Sequence, residues 1–347
     1  MGGRPGRLLV VGGAGFIGSN FVRHELVEAG AGDVEVLVYD KLTYAGRLEN
    51  LHDVRGLGGF RFVRGDVCDE GLLERVVGEF EPDAVVNFAA ETHVDRSINE
   101  PAPFIRTNVL GVFTLLEVLR RLGGDTVYLH VSTDEVYGDL WGVEGEADES
   151  WPLNPSSPYS ASKASADLLV RAYGRTYGIR YRIARPCNNY GPYQHPEKLI
   201  PRTIVRLLLG RPATIYGDGG QVRDWLYVGD TVRAFDAILR RGGDFEVYNI
   251  CAHQYATVKS VVEAIVRLMG RDPSRDIVYV EGRPGEDRRY AMKCDKIAGL
   301  GWRPRVSLEE GLRATVEWYT GNRWWWEPLV DERYVLAEKP WRPGGGP

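Results

Sequence analysis

Short apolar runs alternate with longer amphipathic stretches through the first half of the chain. The apolar runs have the length of strands and occupy residues 7–11, 34–39, 60–64, 84–88 and 126–131. Helical patterns follow them, and the longest ends near residue 122. This alternation predicts an α/β fold with a Rossmann-type, doubly wound parallel sheet. Ligands in such sheets bind at the carboxyl ends of the strands, so ligand-binding residues are expected there.

A glycine-rich turn follows the first apolar run. Gly12, Gly15 and Gly18 have the spacing GxxGxxG and lead into a helical pattern over residues 20–28. Glycines there let the backbone approach a pyrophosphate, whose charge then meets the amino end of the helix. The glycines alone are weak evidence, and the strand and helix around them strengthen the prediction of a dinucleotide site.

Acidic residues follow the second and third strands. Asp40 lies about 20 residues beyond the glycines, where a carboxylate binds the adenine ribose hydroxyls and repels a 2′-phosphate, which favours NAD over NADP. The alternative is that Asp40 caps the turn at residues 40–43. Asp66 is predicted to bond the adenine amino group or to cap the following helix, and the two roles are compatible.

Four titratable side chains follow the fifth strand. Asp134 and Glu135 come directly after it, and Tyr159 and Lys163 share one face of a later helix because they are four residues apart. An ammonium beside a phenol favours the phenolate, and two neighbouring carboxyl groups in a closed site titrate at separate pKa values. The alternatives are a solvated acidic pair and a tyrosine packed on a lysine stem.

Composition narrows the class of protein. The chain has 347 residues, 26% charged residues and a formal net charge of −5, so nothing indicates nucleic-acid binding. We identified no signal peptide and no run approaching roughly 18 apolar residues, so we expect a cytoplasmic protein without membrane contact. Cys68, Cys187, Cys251 and Cys294 lack metal-ligand spacing, which predicts reduced thiols and no metal.

Eight ordered motifs carry a family resemblance between residues 7 and 328. They occupy residues 12–18, 40–46, 89–97, 132–138, 157–163, 188–192, 197–201 and 221–228. With them the chain resembles the extended short-chain dehydrogenase/reductase family, and within it the lyases that dehydrate dTDP-glucose. The resemblance implies NAD as cofactor, dTDP-glucose as the small-molecule substrate, dTDP-4-keto-6-deoxyglucose as product and a place in deoxysugar biosynthesis.

The resemblance also implies roles for individual residues. Tyr159 takes the proton of the C4 hydroxyl as NAD accepts hydride, Lys163 supports Tyr159, and Thr133 bonds the substrate. Glu135 is then the base at C5, and protonated Asp134 donates to the departing C6 hydroxyl before hydride returns to C6. The implied cofactor-binding residues are Gly12, Gly15, Phe16, Ile17, Gly18, Asp40, Lys41, Leu42, Thr43, Asp66, Val67, Ala89, Ala90, Glu91, Thr107, Tyr159, Lys163 and Asn189. The implied substrate-binding residues are His93, Thr133, Asn188, Lys198, Leu199, Thr214, Ile215, Tyr216, Arg223, Asn249, Arg288 and Tyr290.

The resemblance further implies two joined regions. Residues 1–186 mainly form the NAD-binding domain and residues 187–330 a smaller mixed α/β substrate portion, with some exchange of chain between them. Residues 331–347 are predicted to be an extended tail, pinned by Trp341 or disordered. The helices at 103–122 and 158–177 resemble those that pair in family homodimers.

Three other functions share some of these features. A sugar-nucleotide 4-epimerase or decarboxylase on this fold has the same glycines, Tyr159 and Lys163, but does not need the pair Asp134 and Glu135. A non-catalytic NAD-binding regulatory protein is the alternative from another class, and the presence of all four titratable residues argues against it.

Overall fold

A parallel sheet of seven strands forms the centre of the molecule, as predicted. The computed structural model describes residues 5–29 and 34–341. In chain order the strands of this sheet are β1 (Arg7–Val11), β2 (Glu35–Asp40), β3 (Phe60–Arg64), β4 (Ala84–Asn87), β5 (Val127–Val131), β6 (Tyr181–Pro186) and, later, β10 (Glu246–Ile250). Across the sheet the order is β10-β6-β5-β4-β1-β2-β3, and every neighbouring pair is parallel.

Five further strands form two small sheets. They are β7 (Asn188–Tyr190), β8 (Ala213–Tyr216), β9 (Val222–Tyr227), β11 (Tyr255–Thr257) and β12 (Ile277–Val280). The three-stranded sheet has the order β11-β9-β7, and β12 pairs in parallel with β8.

Helices cover both faces of the large sheet and surround the small ones. They are α1 (Phe16–Arg23), α2 (Glu70–Phe80), α3 (Val94–Asn99), α4 (Ala102–Phe104), α5 (Gly111–Leu122), α6 (Pro158–Tyr177), α7 (Leu199–Leu208), α8 (Val228–Arg241), α9 (Val258–Leu268), α10 (Pro273–Asp276), α11 (Asp295–Gly299), α12 (Leu308–Gly321) and α13 (Arg323–Trp326). Wider π-type turns occupy His24–Glu28, Ile105–Leu110 and Glu332–Leu336.

Hydrophobic burial explains why the central strands are so apolar. Alternate residues of β1 enter opposite cores, because Leu8 and Val10 belong to one cluster and Leu9 and Val11 to another. A third cluster lies under the small sheets and includes Trp325 and Trp326, whose side chains are fully buried there. Trp324 is half exposed.

The chain crosses between its two regions more than once. Strand β10 follows the first elements of the substrate region, yet it pairs with β6 at the edge of the large sheet. Strand β5 lies inside the large sheet, between β4 and β6.

The tail prediction is tested only in part, because residues 342–347 lie outside the described residues. Residues 331–341 follow the surface of the substrate region, and Trp341 is buried there against Tyr216, with 4.6 Å between ring centroids. In the structure, Trp341 therefore holds residues 331–341 against the substrate region.

The expectation that all four cysteines are free thiols is wrong. Cys251 and Cys294 form a disulfide across 43 residues of sequence, whereas Cys68 and Cys187 are free. Cys251 follows β10 and Cys294 precedes α11, and the fold brings these elements together. Sequence spacing carries no information about such a long-range approach.

The expectation that no segment reaches the apolar length of a membrane span also needs correction. The continuous helical segment Ala102–Leu122 is long and apolar enough by length and composition. The residue pattern hid it because Thr107, Asn108 and Thr114 interrupt the apolar run. In the fold 56% of that stretch is buried, as in the core helix of a globular protein.

Candidate active site

The glycine turn after β1 has the conformation predicted for it. Gly12 has a φ of 76°, and a Cβ on it would lie 2.4 Å from the backbone nitrogen of Ala89. A Cβ on Gly18 would lie 2.4 Å from the Gly12 carbonyl oxygen, so that position also requires glycine. Helix α1 begins directly after Gly15, and its amino end is open to the adjoining cavity. This is the geometry that holds a pyrophosphate.

Asp40 serves the glycine turn as well as its own turn. Its carboxylate accepts hydrogen bonds from the backbone nitrogen of Ala14 at 3.0 Å and from that of Leu42 at 2.8 Å. Burial raises the pKa of this carboxyl group. The turn-capping interpretation is confirmed, and Asp40 also lines the cavity in which a ribose hydroxyl would reach it.

Asp66 does not cap the helix that follows it. Its carboxylate accepts a bond from the backbone nitrogen of Cys68, whereas the cap of α2 is Asp69, which accepts from Leu72 at 3.1 Å. The capping alternative is therefore wrong, because the helix begins one turn later than expected.

One cavity of about 270 Å³ gathers most of the predicted residues. All five predicted catalytic residues line it, together with Asn188 and Lys198 of the predicted substrate set. The predicted cofactor residues that line it are Gly12, Gly15, Phe16, Ile17, Gly18, Asp40, Lys41, Thr43, Val67, Ala89, Ala90, Glu91, Thr107, Tyr159, Lys163 and Asn189. Leu42 and Asp66 are outside this lining.

Unpartnered polar atoms in the cavity indicate a polar ligand. The Ser132 hydroxyl and the Asn188 side-chain oxygen are buried and have no hydrogen-bond partner within the described part of the chain. Buried polar atoms in native proteins are nearly always bonded, so such atoms on a cavity wall point to a missing partner. Together with the bare glycine turn, they fit a dinucleotide beside a hydroxyl-rich substrate.

A short helical turn at the end of β5 fixes the acidic pair. Thr133 caps the turn Asp134–Tyr137 and accepts a bond from the Glu135 backbone nitrogen at 3.3 Å. The Thr133 hydroxyl donates to the Asp134 carboxylate at 3.1 Å. The sharp turn thus directs two consecutive carboxyl groups into one cavity.

The two carboxyl groups differ in their electrostatic surroundings. Burial, and then the charge of Glu135, raise the pKa of Asp134 to about 8. Burial also raises the pKa of Glu135, but the charges of Arg283, Arg223 and Lys198 oppose that rise. Asp134 is therefore protonated at neutral pH, and the cations favour the ionised form of Glu135.

Tyr159 and Lys163 line the same cavity, and burial shifts their pKa values in opposite directions. The Lys163 ammonium donates to the Val131 carbonyl at 2.6 Å, and burial lowers its pKa to about 8. Burial and the charge of Glu135 raise the pKa of Tyr159, and a hydrogen bond with Thr133 opposes the rise. In the structure the ammonium bonds a carbonyl and burial favours the neutral phenol, so the effect of Lys163 on the phenolate stays a prediction.

The predicted substrate residues after β4 form a compact cluster. The Lys198 ammonium donates to the Thr92 carbonyl at 2.6 Å on the cavity wall. His93 accepts a bond from the Arg96 backbone nitrogen, and burial lowers its pKa to about 4, so His93 is neutral. His93 is buried, so Lys198 is the member of this cluster that reaches the cavity.

The remaining predicted substrate residues lie on α7, on the small sheets and on the segment after them. Arg223 stacks over the ring of Tyr290 at 4.3 Å, and Tyr290 donates to Asp287. Arg288 pairs with Asp218 at 3.2 Å at the mouth of a second, more open cavity. Leu199 begins α7, and Thr214 and Tyr216 belong to β8.

Two predicted substrate residues have side chains committed to the fold. The Asn249 side chain is fully buried, accepts from the Tyr137 hydroxyl, and donates to the carbonyls of Ala147 and Lys293. Ile215 is also fully buried and belongs to the third hydrophobic cluster. The side chains of both residues therefore face the core, and their place around the nucleoside diphosphate stays a prediction.

Two charged residues of the site escaped the sequence prediction. Arg283 pairs with Asp95 at 2.9 Å and its charge acts on Glu135. Glu197 lines the cavity and pairs with Arg96 at 2.8 Å, and neighbouring basic side chains lower its pKa to about 2 despite its burial. Glu197 is the first residue of the motif at 197–201, and that motif was a sequence signal that could have identified it. Arg283 precedes Pro284 without a recognisable pattern.

No metal site was predicted, and two groups of side chains bear on that prediction. Potential ligand atoms lie within 4.8 Å of one another in Cys251, His253 and Cys294, and in His24, Glu25 and Asp236. In the first group both cysteines belong to the disulfide. We assign no ion to either group.

The chain matches the family model described as GDP-mannose 4,6 dehydratase over residues 9–315. It is 50% identical over 329 residues to the dTDP-glucose 4,6-dehydratase of Mycobacterium tuberculosis, with 94% of this chain and 96% of the relative covered. The structure of the dTDP-glucose 4,6-dehydratase of Streptomyces venezuelae, which has NAD bound, matches with a TM-score of 0.89 and 48% identity, covering 93% of this chain and 100% of that one. The UDP-glucose 4-epimerase of Thermus thermophilus shares the fold with a TM-score of 0.82 and 35% identity, covering 91% and 99%. The chain belongs to the dTDP-glucose 4,6-dehydratases of the extended short-chain dehydrogenase/reductase family.

Proposed function

We propose that this chain is an NAD-dependent hydro-lyase that converts dTDP-glucose to dTDP-4-keto-6-deoxyglucose. The observation that carries the proposal is the pair Asp134 and Glu135, one carboxyl group with a pKa of about 8 and the other surrounded by cations, in one cavity with Tyr159. Relatives of the same name and the NAD-bound structure of one of them support it. A general acid and a general base are what the loss of water from a sugar requires.

The first step is removal of hydrogen from C4 of the glucose unit. When bound, NAD+ supplies the hydride acceptor and a positive charge, and the reduced form later returns the hydride. Tyr159 takes the proton of the C4 hydroxyl, and Thr133 holds that hydroxyl by a hydrogen bond. Because burial and Glu135 oppose the loss of the Tyr159 proton, this step depends on positive charge near the phenol.

The second step is elimination of water across C5 and C6. The C4 ketone acidifies the C5 hydrogen, Glu135 removes that proton, and the C5–C6 double bond forms. Asp134 donates its proton to the C6 hydroxyl, which leaves as water. Hydride return to C6 and protonation of C5 then give the 4-keto-6-deoxy product, which is lighter than the substrate by one water.

The acidic pair favours this reaction over the other reactions of the fold. A 4-epimerase needs oxidation and reduction at C4 alone, so it has no use for a protonated acid beside a base. In this chain both carboxyl groups line the cavity and one is held neutral. The similarity to a 4-epimerase structure therefore reflects the shared oxidation chemistry.

We also propose that the protein is a homodimer. Large apolar side chains are exposed on two helical segments that pack on each other, namely Ile105, Leu110, Phe113, Leu168 and Tyr177. The exposed fraction of Leu168 is 55%. Such a patch on neighbouring helices is typical of a surface that a second copy covers. Sedimentation velocity of wild type and Leu168→Glu tests it, because the variant is expected to be a monomer.

A turnover assay tests the function. Purified protein is incubated with NAD+ and dTDP-glucose, and the products are measured by mass spectrometry, with UDP-, GDP- and CDP-glucose in parallel. We expect a dTDP product lighter by one water, and faster conversion of dTDP-glucose than of the other three. An isomer of unchanged mass would indicate an epimerase, and no product from any of the four would overturn the proposal. Glu135→Gln is the matched negative control.

A further inference from the structure

The last described segment, residues 331–341, holds two parts of the substrate region at once. We call it the C-terminal strap. Asp331 caps its single turn, Glu332–Leu336, by accepting from the Tyr334 backbone nitrogen. From there the strap passes over α7 and ends at Trp341 against Tyr216.

Buried arginines of α7 bind the strap through its carbonyl groups. Arg202 donates to the carbonyls of Val335 and Ala337, and Arg206 donates to that of Leu336. Both arginines are buried. Consecutive carbonyls bonded by charged donors fix the strap along the helix, since such bonds are stronger than neutral ones. Lys198 directly precedes α7, so the strap is tied to the helix that follows this residue.

A stacked arginine connects the strap to the cavity wall. The guanidinium carbon of Arg96 lies 3.8 Å from the ring centroid of Tyr334 on one side and 3.9 Å from that of Tyr44 on the other. The same guanidinium donates to Glu197 at 2.8 Å. Stacking between two rings leaves the guanidinium little freedom, so Tyr334 fixes the direction in which Arg96 holds Glu197. Glu197 lines the cavity directly before Lys198.

The far end of the strap acts on Tyr216 in the same way. Trp341 packs edge-on against the Tyr216 ring, and Arg202 donates to the Tyr216 hydroxyl at 2.5 Å. The Asn99 side chain donates to the Pro340 carbonyl at 3.1 Å, which holds the strap against α3. Tyr216 therefore has its ring and its hydroxyl fixed by the strap and by the arginine that binds the strap.

We propose that the C-terminal strap positions the sugar-nucleotide site, with Tyr334 acting through Arg96 and Glu197 on Lys198, and Trp341 acting on Tyr216. The proposal rests on the proposed function, because it assigns Lys198 and Tyr216 to the sugar nucleotide. Tyr334 and Trp341 are positioning residues. The glycine turn and Asp40 make none of these contacts, so the strap is expected to set the affinity for sugar nucleotide without changing that for NAD.

Steady-state kinetics and binding on the full chain test the strap. We expect Tyr334→Ala and Trp341→Ala each to raise KM for dTDP-glucose and the Kd for dTDP roughly fivefold to thirtyfold, the range of a desolvated ring contact. We expect kcat within about twofold of wild type and unchanged Kd for NAD. Tyr334→Phe keeps the ring and is expected to restore the wild-type KM. Trp324→Ala, at a half-exposed ring outside the strap, is the control.

The outcomes separate the strap from the function. If wild type does not dehydrate dTDP-glucose, the proposed function fails and the strap proposal fails with it. If wild type is active and both alanine variants keep its KM, the strap proposal alone is overturned. It is also overturned if Tyr334→Phe is as impaired as Tyr334→Ala, or if kcat, KM and NAD affinity all worsen together with a lower melting temperature, because those results describe general destabilisation.

Discussion

The two ends of the active-site cavity are built by different kinds of contact. At the cofactor end the shape comes from the backbone, because Gly12 and Gly18 leave no room for a Cβ and Asp40 bonds backbone nitrogens. At the substrate end it comes from side chains far apart in sequence, such as Arg96 with Glu197 and Arg202 with the C-terminal strap. The cofactor end should therefore be sensitive to changes of backbone, and the substrate end to loss of single side chains.

The largest effect on the cofactor end is expected from Gly12→Ala. The new Cβ would lie 2.4 Å from the Ala89 nitrogen at a φ of 76°, and neither backbone can move away freely. We expect NAD affinity to fall by more than about 100-fold, equivalent to roughly 3 kcal/mol. Isothermal titration with NAD measures it. Gly299→Ala, where a Cβ meets open space, is the matched control. NAD affinity unchanged in Gly12→Ala would contradict the backbone explanation.

The stability of the substrate end is expected to depend on its long-range disulfide. The Cys251–Cys294 disulfide ties β10 to the chain that follows Arg288 and Tyr290. We expect Cys294→Ser, or reduction of wild type, to lower the free energy of unfolding by about 2–3 kcal/mol. Denaturant unfolding with and without reductant measures it, and Cys68→Ser is the control. The NAD affinity of the folded protein should not change. Four reactive thiols in the untreated, denatured protein would contradict the disulfide.

The pH dependence of the reaction distinguishes the acid from the base. Asp134 is active as the protonated acid, and its pKa of about 8 means that this form is lost as the pH rises through that value. We expect water loss to slow about tenfold per pH unit above about 8, while removal of the C4 hydroxyl proton becomes easier. Bound NADH should therefore increase in the steady state at high pH. A flat profile for water loss above that pH would contradict the assignment.

The cofactor end was also the more predictable of the two. A glycine turn between a strand and a helix is a local requirement, so Gly12 and Asp40 could be placed from the sequence. Other features depend on tertiary contacts that residue spacing does not encode. They are the Lys163 bond to Val131, the disulfide, and the hydrogen bonds that occupy the Asn249 side chain. The position of Asp134 after a strand could be predicted from the sequence. Its raised pKa could not, because that shift depends on burial in the folded protein.

The same distinction applies to Tyr159. Its position four residues before Lys163 correctly predicted one shared cavity. Burial and then the charge of Glu135 raise its pKa, and both follow from the tertiary structure. Residue spacing on a helix therefore predicted proximity and could not predict the balance of charge.

The central claim is that Tyr159 serves oxidation and Asp134 serves water loss, and a rapid-mixing single turnover tests it most directly. Asp134→Asn and Tyr159→Phe are each mixed with NAD+ and dTDP-glucose, and NADH absorbance and product are followed together. For Asp134→Asn we expect NADH to form and persist while product appears about 100-fold more slowly than in wild type, and for Tyr159→Phe we expect almost no NADH. Product from Asp134→Asn at the wild-type rate would contradict the claim.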